Sequence, residues 1–168
     1  MELIIKKAGL EDIPAIHEIT QEAFTKYAMD LGLPHKVSAL QENYEIIKEE
    51  MKRKTILLAW LNGEPVGSVR YEIISNHIAY ISRFGVRIHA QNCGVGRALI
   101  QAVEEQVKEK GVTLLALHSA SKMTSLVRAY YGMGFYIHST STDRGYLRAL
   151  FLKELSDQCE TADVANII

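Results

Sequence analysis

Residues 80–111 read Y-I-S-R-F-G-V-R-I-H-A-Q-N-C-G-V-G-R-A-L-I-Q-A-V-E-E-Q-V-K-E-K-G, a strand, a polar glycine turn and an amphipathic helix in direct succession. The strand is expected over Ile78 to Val86. The turn is Gln91, Asn92, Cys93, Gly94, Val95 and Gly96, with Arg97 behind it. From Gly96 onward, Leu99, Val103 and Val107 fall on one helical face, flanked by Ile100, and Lys108, Lys110 and Gly111 make a conventional helix end. Glycines at a helix start can cradle a phosphate. Backbone N–H groups point outward there, the helix dipole favours an anion, and missing side chains permit close approach. The rival reading is a tight strand–helix turn whose glycines serve packing alone.

Two phosphate-binding patterns are excluded. A dinucleotide fold requires G-x-G-x-x-G, but Leu99 stands where the third glycine belongs. A P-loop requires Gly-Lys, a pair that occurs nowhere in the chain.

Composition narrows the class further. The chain has 168 residues, enough for one domain with a sizeable core, and 48% apolar with 23% charged residues is ordinary for a globular protein. A net charge of −1 carries no global field toward nucleic acid or a membrane surface. Lys52, Arg53 and Lys54 read as a solvated helix end. The start, M-E-L-I-I-K-K, is too soon charged for a signal peptide, and no apolar run approaches the roughly 20 residues that span a bilayer. Cys93 and Cys159 have no metal-ligand spacing, so no metal is expected and free thiols in a reducing cytoplasm are the default.

In chain order, Leu3 to Lys7 reads as a first strand. A helix follows, begun by Gly9 or Asp12 with Pro14 in its first turn, and is expected to break between Met29 and Ser38 at Gly32 and Pro34. Leu40, Tyr44, Ile47 and Met51 predict a second helix. Thr55 to Leu61 and Pro65 to Ile74 flank Asn62-Gly63, a strong hairpin turn signal. Val112 to Leu117 reads as an inner strand, Ser125 to Met133 as a short helix, and Phe135 to Ser141 and Tyr146 to Leu155 as two more strands. Residues 1–155 thus form a single α/β (α+β) domain around one sheet, and 156–168 a tail with little periodicity, expected to be loosely held.

The order of motifs resembles the GNAT family of N-acetyltransferases. Q-x-x-G-x-G between a strand and an amphipathic helix is similar to that family's acetyl-CoA loop, with Gln91 and Gly96 at its ends. E-D-I-P-A-I resembles the start of the first helix, N-G-E-P-V-G-S-V the hairpin between strands 2 and 3, and A-Y-Y-G-M-G-F the Y-x-x-x-G-F signature after strand 5. The likeness runs from Leu3 to Leu155. It implies a mixed, mostly antiparallel sheet of about six to seven strands, flanked by about four helices and splayed at strands 4 and 5.

The resemblance also implies site residues. Phe84, Gly85 and Val86 match the strand segment that pairs with the pantetheine arm and acetyl group. Gln91, Asn92, Cys93, Gly94, Val95, Gly96 and Arg97 match the pyrophosphate loop. Tyr130, four residues before Gly134, matches a tyrosine beside the CoA sulfur. Thioester aminolysis needs a proton removed from the amine and one delivered to the thiolate, and a phenol with pKa about 10 suits delivery. The alternative for Tyr130 is packing alone, and Tyr131 is expected to pack or to lie at the surface. Candidate bases are His118, Glu72 and His77, with ordered water as the family's frequent substitute. Met123 stands where many relatives carry an Asn that contacts the cofactor.

The acceptor site is expected from Tyr27 to Ser38, the second helix and the Thr142 to Tyr146 turn. Acids there would suit a cationic amine, while Arg144 or Arg148 would suit a carboxylate. The expected function is therefore acetyl transfer from acetyl-CoA to a small-molecule or peptide amine. The other reading is an acyl-CoA-binding or regulatory module without efficient catalysis. A homodimer is common in the family.

Overall fold

The computed structural model describes residues 1–161 and 163–168. Among them lie seven strands and five α-helices, in the order β1 (Leu3–Lys7), α1 (Ile13–Leu31), α2 (Tyr44–Glu50), β2 (Thr55–Leu61), β3 (Glu64–Ser75), β4 (Ile78–Val86), α3 (Val95–Lys108), β5 (Leu114–Ala120), α4 (Thr124–Gly132), β6 (Tyr136–Ser141), β7 (Arg148–Glu154) and α5 (Val164–Ile167). The strands form one sheet, ordered β1-β2-β3-β4-β5-β7-β6. The pairs β1/β2, β2/β3, β5/β7 and β6/β7 are antiparallel and β4/β5 is parallel. The parallel ladder registers only Ile78–Tyr80 against Leu114–Ala116, although both strands run on beyond it. That short ladder fits the expected splay. Among the described residues, no helix is long and apolar enough to cross a membrane.

The chain divides into two compact units, Met1–Glu72 with Arg83–Val103, and Ile73–Ser82 with Glu104–Ile168. In the first, Ile13, Ile16 and Ile19 of α1 and Ile47 of α2 bury against Ile56 and Leu58 of β2. The Asn62-Gly63 turn has φ of 51° and 84°, the left-handed pair that a two-residue hairpin requires. At the start of α1, the Gly9 N–H donates to Asp12 Oδ2 at 2.8 Å, and Pro14 sits in the first turn. The helix ends at Leu31, within the segment expected to break it, because Gly32 supplies the left-handed cap (φ 71°). The second helix starts later than its apolar stripe suggests. A 3-10 turn covers Ser38–Gln41, and Asn43 then caps α2 by accepting from Ile46 N at 2.9 Å.

In the second unit, strand alternation separates two faces. Ile78, Leu114, Ala116, Leu150 and Leu152 share one, and Tyr80 packs with them. Phe151 and Ser119 lie on the other, because β5 pairs Leu117 with Phe151 and Ser119 with Ala149. The tail is not loose. Val164 is 1% exposed and packs into the first of these faces, joined by Cys159 and Ile168. Four residues of α5 are too few to show a helical period, so this anchoring left no pattern to read.

Candidate active site

The end of β4 is built to hold one backbone path. Arg83 has φ of 50°, a left-handed conformation inside a strand that costs a non-glycine residue about 1–2 kcal/mol. Its Nε donates to Glu42 Oε2 at 2.9 Å. Glu42 also takes both arms of Arg70, Nη1 at 2.7 Å and Nη2 at 2.8 Å, and Arg70 is fully buried. Burial pushes the Glu42 carboxyl up, but the hydrogen bond and charge of Arg70, then Arg83, outweigh it and hold the group below the ordinary carboxylate value. Glu50 joins the cluster through Arg70 Nη1 at 3.3 Å and Lys54 at 3.0 Å.

Next along β4, Gly85 faces α1. A Cβ there would stand 2.7 Å from Ala23 Cβ, so the helix can approach only because the side chain is missing. Gly85→Ala should therefore lose about 1–3 kcal/mol by overpacking. Denaturant titration should show the Gly85→Ala, Ala23→Gly double variant to be no less stable than Ala23→Gly alone. Arg87 then clamps the strand end, with Nη1 2.9 Å from Glu18 Oε1 and Nε donating to the Pro65 carbonyl at 2.8 Å.

The turn after β4 has the geometry of an anion cradle. Asn92 and Gly94 take positive φ (62° and 82°), Asn92, Cys93 and Gly94 are exposed, and no atom would obstruct a Cβ at Gly94. Ala98 N to Gly94 O, at 3.0 Å, opens the helical ladder, so the amides of Gly94, Val95 and Gly96 lie ahead of it. Gly96 also lies close to Phe84, where a Cβ would stand 3.1 Å from Phe84 Cζ. The Gln91 side chain donates back to the Val86 carbonyl at 3.2 Å, tying loop to strand. Cys93 Sγ lies 3.6 Å from the Gln91 carbonyl, while His89 pairs with Glu64 at 3.2 Å on the surface.

The second unit holds the titratable candidates. Tyr130 is 6% exposed, its ring packed against Phe151 (4.9 Å between centroids) and Phe135 (5.9 Å), and its hydroxyl hydrogen-bonds Ser119. Burial pushes its pKa up to about 12. His118 lies on the opposite face of β5 from Ser119, with Nδ1 2.6 Å from the Tyr80 hydroxyl. Burial first, and the Arg148 charge second, lower its pKa to about 4, so the ring is neutral at pH 7. Glu72 is engaged by Arg53 at 3.3 Å, and His77 sits within its turn against Ser75 at 3.4 Å. Tyr131 is half exposed, as expected of it. Of the acceptor-side candidates, Met29 and Tyr44 are exposed and Asp143 pairs with Arg148 at 3.4 Å.

Residues 13–135 match the model of the Acetyltransferase (GNAT) family. The chain belongs to that family. As a GNAT acetyltransferase it draws its acetyl group from acetyl-CoA. The protein is 26% identical over 116 residues to the uncharacterized protein YyaT of Bacillus subtilis (strain 168), a stretch covering 68% of this chain and 74% of that one. Its fold is shared with the PaiA N-acetyltransferase of Thermoplasma acidophilum, solved in complex with coenzyme A, at TM-score 0.81 and 21% identity over 92% of this chain and 99% of the other. The ribosomal-protein-S18-alanine N-acetyltransferase of Escherichia coli aligns at TM-score 0.74 and 18% identity over 95% and 98%.

Glu42, Arg70 and Arg83 are the site-bordering residues that sequence reasoning missed. One signal was available. Arg70 interrupts the apolar run V-G-S-V-R-Y on the face that carries Ile56 of the neighbouring strand, and a charge there requires a buried partner.

Proposed function

We propose that this GNAT chain transfers acetyl directly from acetyl-CoA to a primary amine, with Tyr130 as proton donor to the departing thiolate. The observation that carries the reading is the fixed β4 end running into an amide-lined, unobstructed turn. The turn amides of Gly94, Val95 and Gly96 suit the pyrophosphate, with Asn92, Cys93 and Arg97 beside them, and the backbone of Phe84, Gly85 and Val86 suits the pantetheine amides. Bound acetyl-CoA supplies an activated thioester.

The Tyr130 phenol carries its proton throughout the neutral range. A thiolate whose thiol titrates near 8.5 is a weaker base than this tyrosinate. The hydroxyl therefore stabilises the developing negative charge by hydrogen bonding, and any proton it gives the thiolate is replaced on the more basic tyrosinate by the proton released from the amine. His118 is oriented by Tyr80 and unprotonated. In the tautomer that carries its proton on Nδ1 and donates it to the Tyr80 oxygen, Nε2 keeps a lone pair for the amine proton, and water carries the proton onward. Glu72, held by Arg53, is the weaker base candidate. Free cysteines at 93 and 159 suit a reducing cytoplasm.

A second reading, an acyl-CoA-binding module, is favoured by Met123. It is the N-cap of α4, makes no side-chain cap hydrogen bond, and replaces the Asn common in relatives. Calorimetric titration with acetyl-CoA, followed by an amine screen for CoA release, tests both. Saturable binding with acceptor-dependent, saturable CoA release is expected. Absent binding sinks both readings, and binding without release from any amine supports the module.

A further inference from the structure

Glu42 lies in the turn before α2, and its hydrogen bonds run to Arg70 and Arg83. It thereby joins two things at one carboxylate, the buried Arg70 of β3 and the left-handed Arg83 of β4. Arg83 immediately precedes Phe84, Gly85 and Val86. An isolated alanine or arginine at that position would relax to an extended conformation, which would turn the following peptide groups away from their present directions. The Glu42 side chain is 3% exposed and is itself held by two Arg70 hydrogen bonds, so it is a fixed point rather than a mobile counter-ion.

We propose that Glu42 is a positioning residue for cofactor binding, which holds Arg83 in its left-handed conformation and thereby aims the Phe84–Val86 backbone. The inference rests on the acetyl-CoA reading above. It concerns a step that reading leaves open, namely what holds a strand end in a costly conformation. Two alternatives have different consequences. If Arg83 served through its charge on the cofactor, any loss of the guanidinium would be equally harmful. If the Glu42 cluster were only a fold-stabilising ion pair, cofactor affinity would not follow the conformation at residue 83.

The experiment compares Arg83→Ala with Arg83→Gly. Both variants retain the bidentate Arg70–Glu42 pair, so both should fold. Alanine removes the anchor and keeps the penalty for positive φ, whereas glycine removes the anchor and the penalty together. Calorimetry should show Arg83→Ala binding acetyl-CoA about tenfold more weakly than wild type and Arg83→Gly within about threefold of it. In a Glu42→Gln background, which should lower the melting temperature by leaving Arg70 poorly paired, adding Arg83→Gly should restore affinity without restoring the melting temperature. Equal affinities for the alanine and glycine variants, both weakened or both unchanged, would overturn the proposal while wild-type binding upheld the acetyl-CoA reading. No saturable binding by wild type would remove that reading and this inference together.

Discussion

Tyr130→Phe lowers kcat by about a hundredfold or more, the span of a lost proton donor, and leaves the dissociation constant for acetyl-CoA within about twofold. Phenylalanine keeps the ring between Phe135 and Phe151 and removes only the hydroxyl and its Ser119 hydrogen bond. A purely packing tyrosine would instead show a small stability loss and unchanged turnover, so steady-state kinetics beside a melting curve separate the two. The pH dependence adds a second check. Because burial raises the phenol to about 12, wild-type kcat shows no alkaline limb from this group until pH approaches that value. Because His118 is lowered to about 4, its protonation reduces kcat only in strong acid. The folded-state value of Tyr130 lies above the unfolded value near 10. Its stabilising contribution is thus complete below pH 10 and is lost as pH rises toward 12, a loss that Tyr130→Phe abolishes.

Arg70→Met destabilises the protein by about 3–5 kcal/mol in chemical denaturation, the range for removing one partner of a buried ion pair. Arg70 is fully buried, and its loss leaves the Glu42 carboxylate, 3% exposed at the side chain, with Arg83 alone. The pair is not itself a large source of stability, since desolvation offsets most of its attraction. Arg70→Met with Glu42→Leu should accordingly recover most of the loss, and a double variant as unstable as Arg70→Met alone would contradict this account. Acid titration gives the matching sign. Glu42 and Glu50 are lowered in the folded state, so their contribution is full above their unfolded value near 4.5 and disappears as pH falls through the lower folded one.

The two predictions draw on different kinds of legibility. Tyr130 stood in a short signature, Y-x-x-x-G-F, whose residues are close in sequence, so its place before Gly134 and Phe135 was readable from the chain alone. The Asn62-Gly63 hairpin, the bounds of β1, β2 and β4, and the glycine turn were readable for the same reason. Each is written in residues within a few positions of one another. The start of α2 was not legible because a periodic stripe from Leu40 to Met51 says nothing of Asn43, whose side chain caps the helix. The tail's anchoring was not legible because Val164 gains its burial from residues 12 to 86 positions earlier in the chain.

The sequence alone therefore pointed to the family and the donor, because hydrophobic period, turn chemistry and short motifs are local properties. Which side chains hold the candidate site in place was settled only in three dimensions. Arg70 and Arg83 lie 28 and 41 residues along the chain from the Glu42 carboxylate that joins them. Only in three dimensions do Ala23 and Phe84 come close to Gly85 and Gly96. Burial and ion pairing depend on what lies nearby in space, and a chain states that only once it is folded.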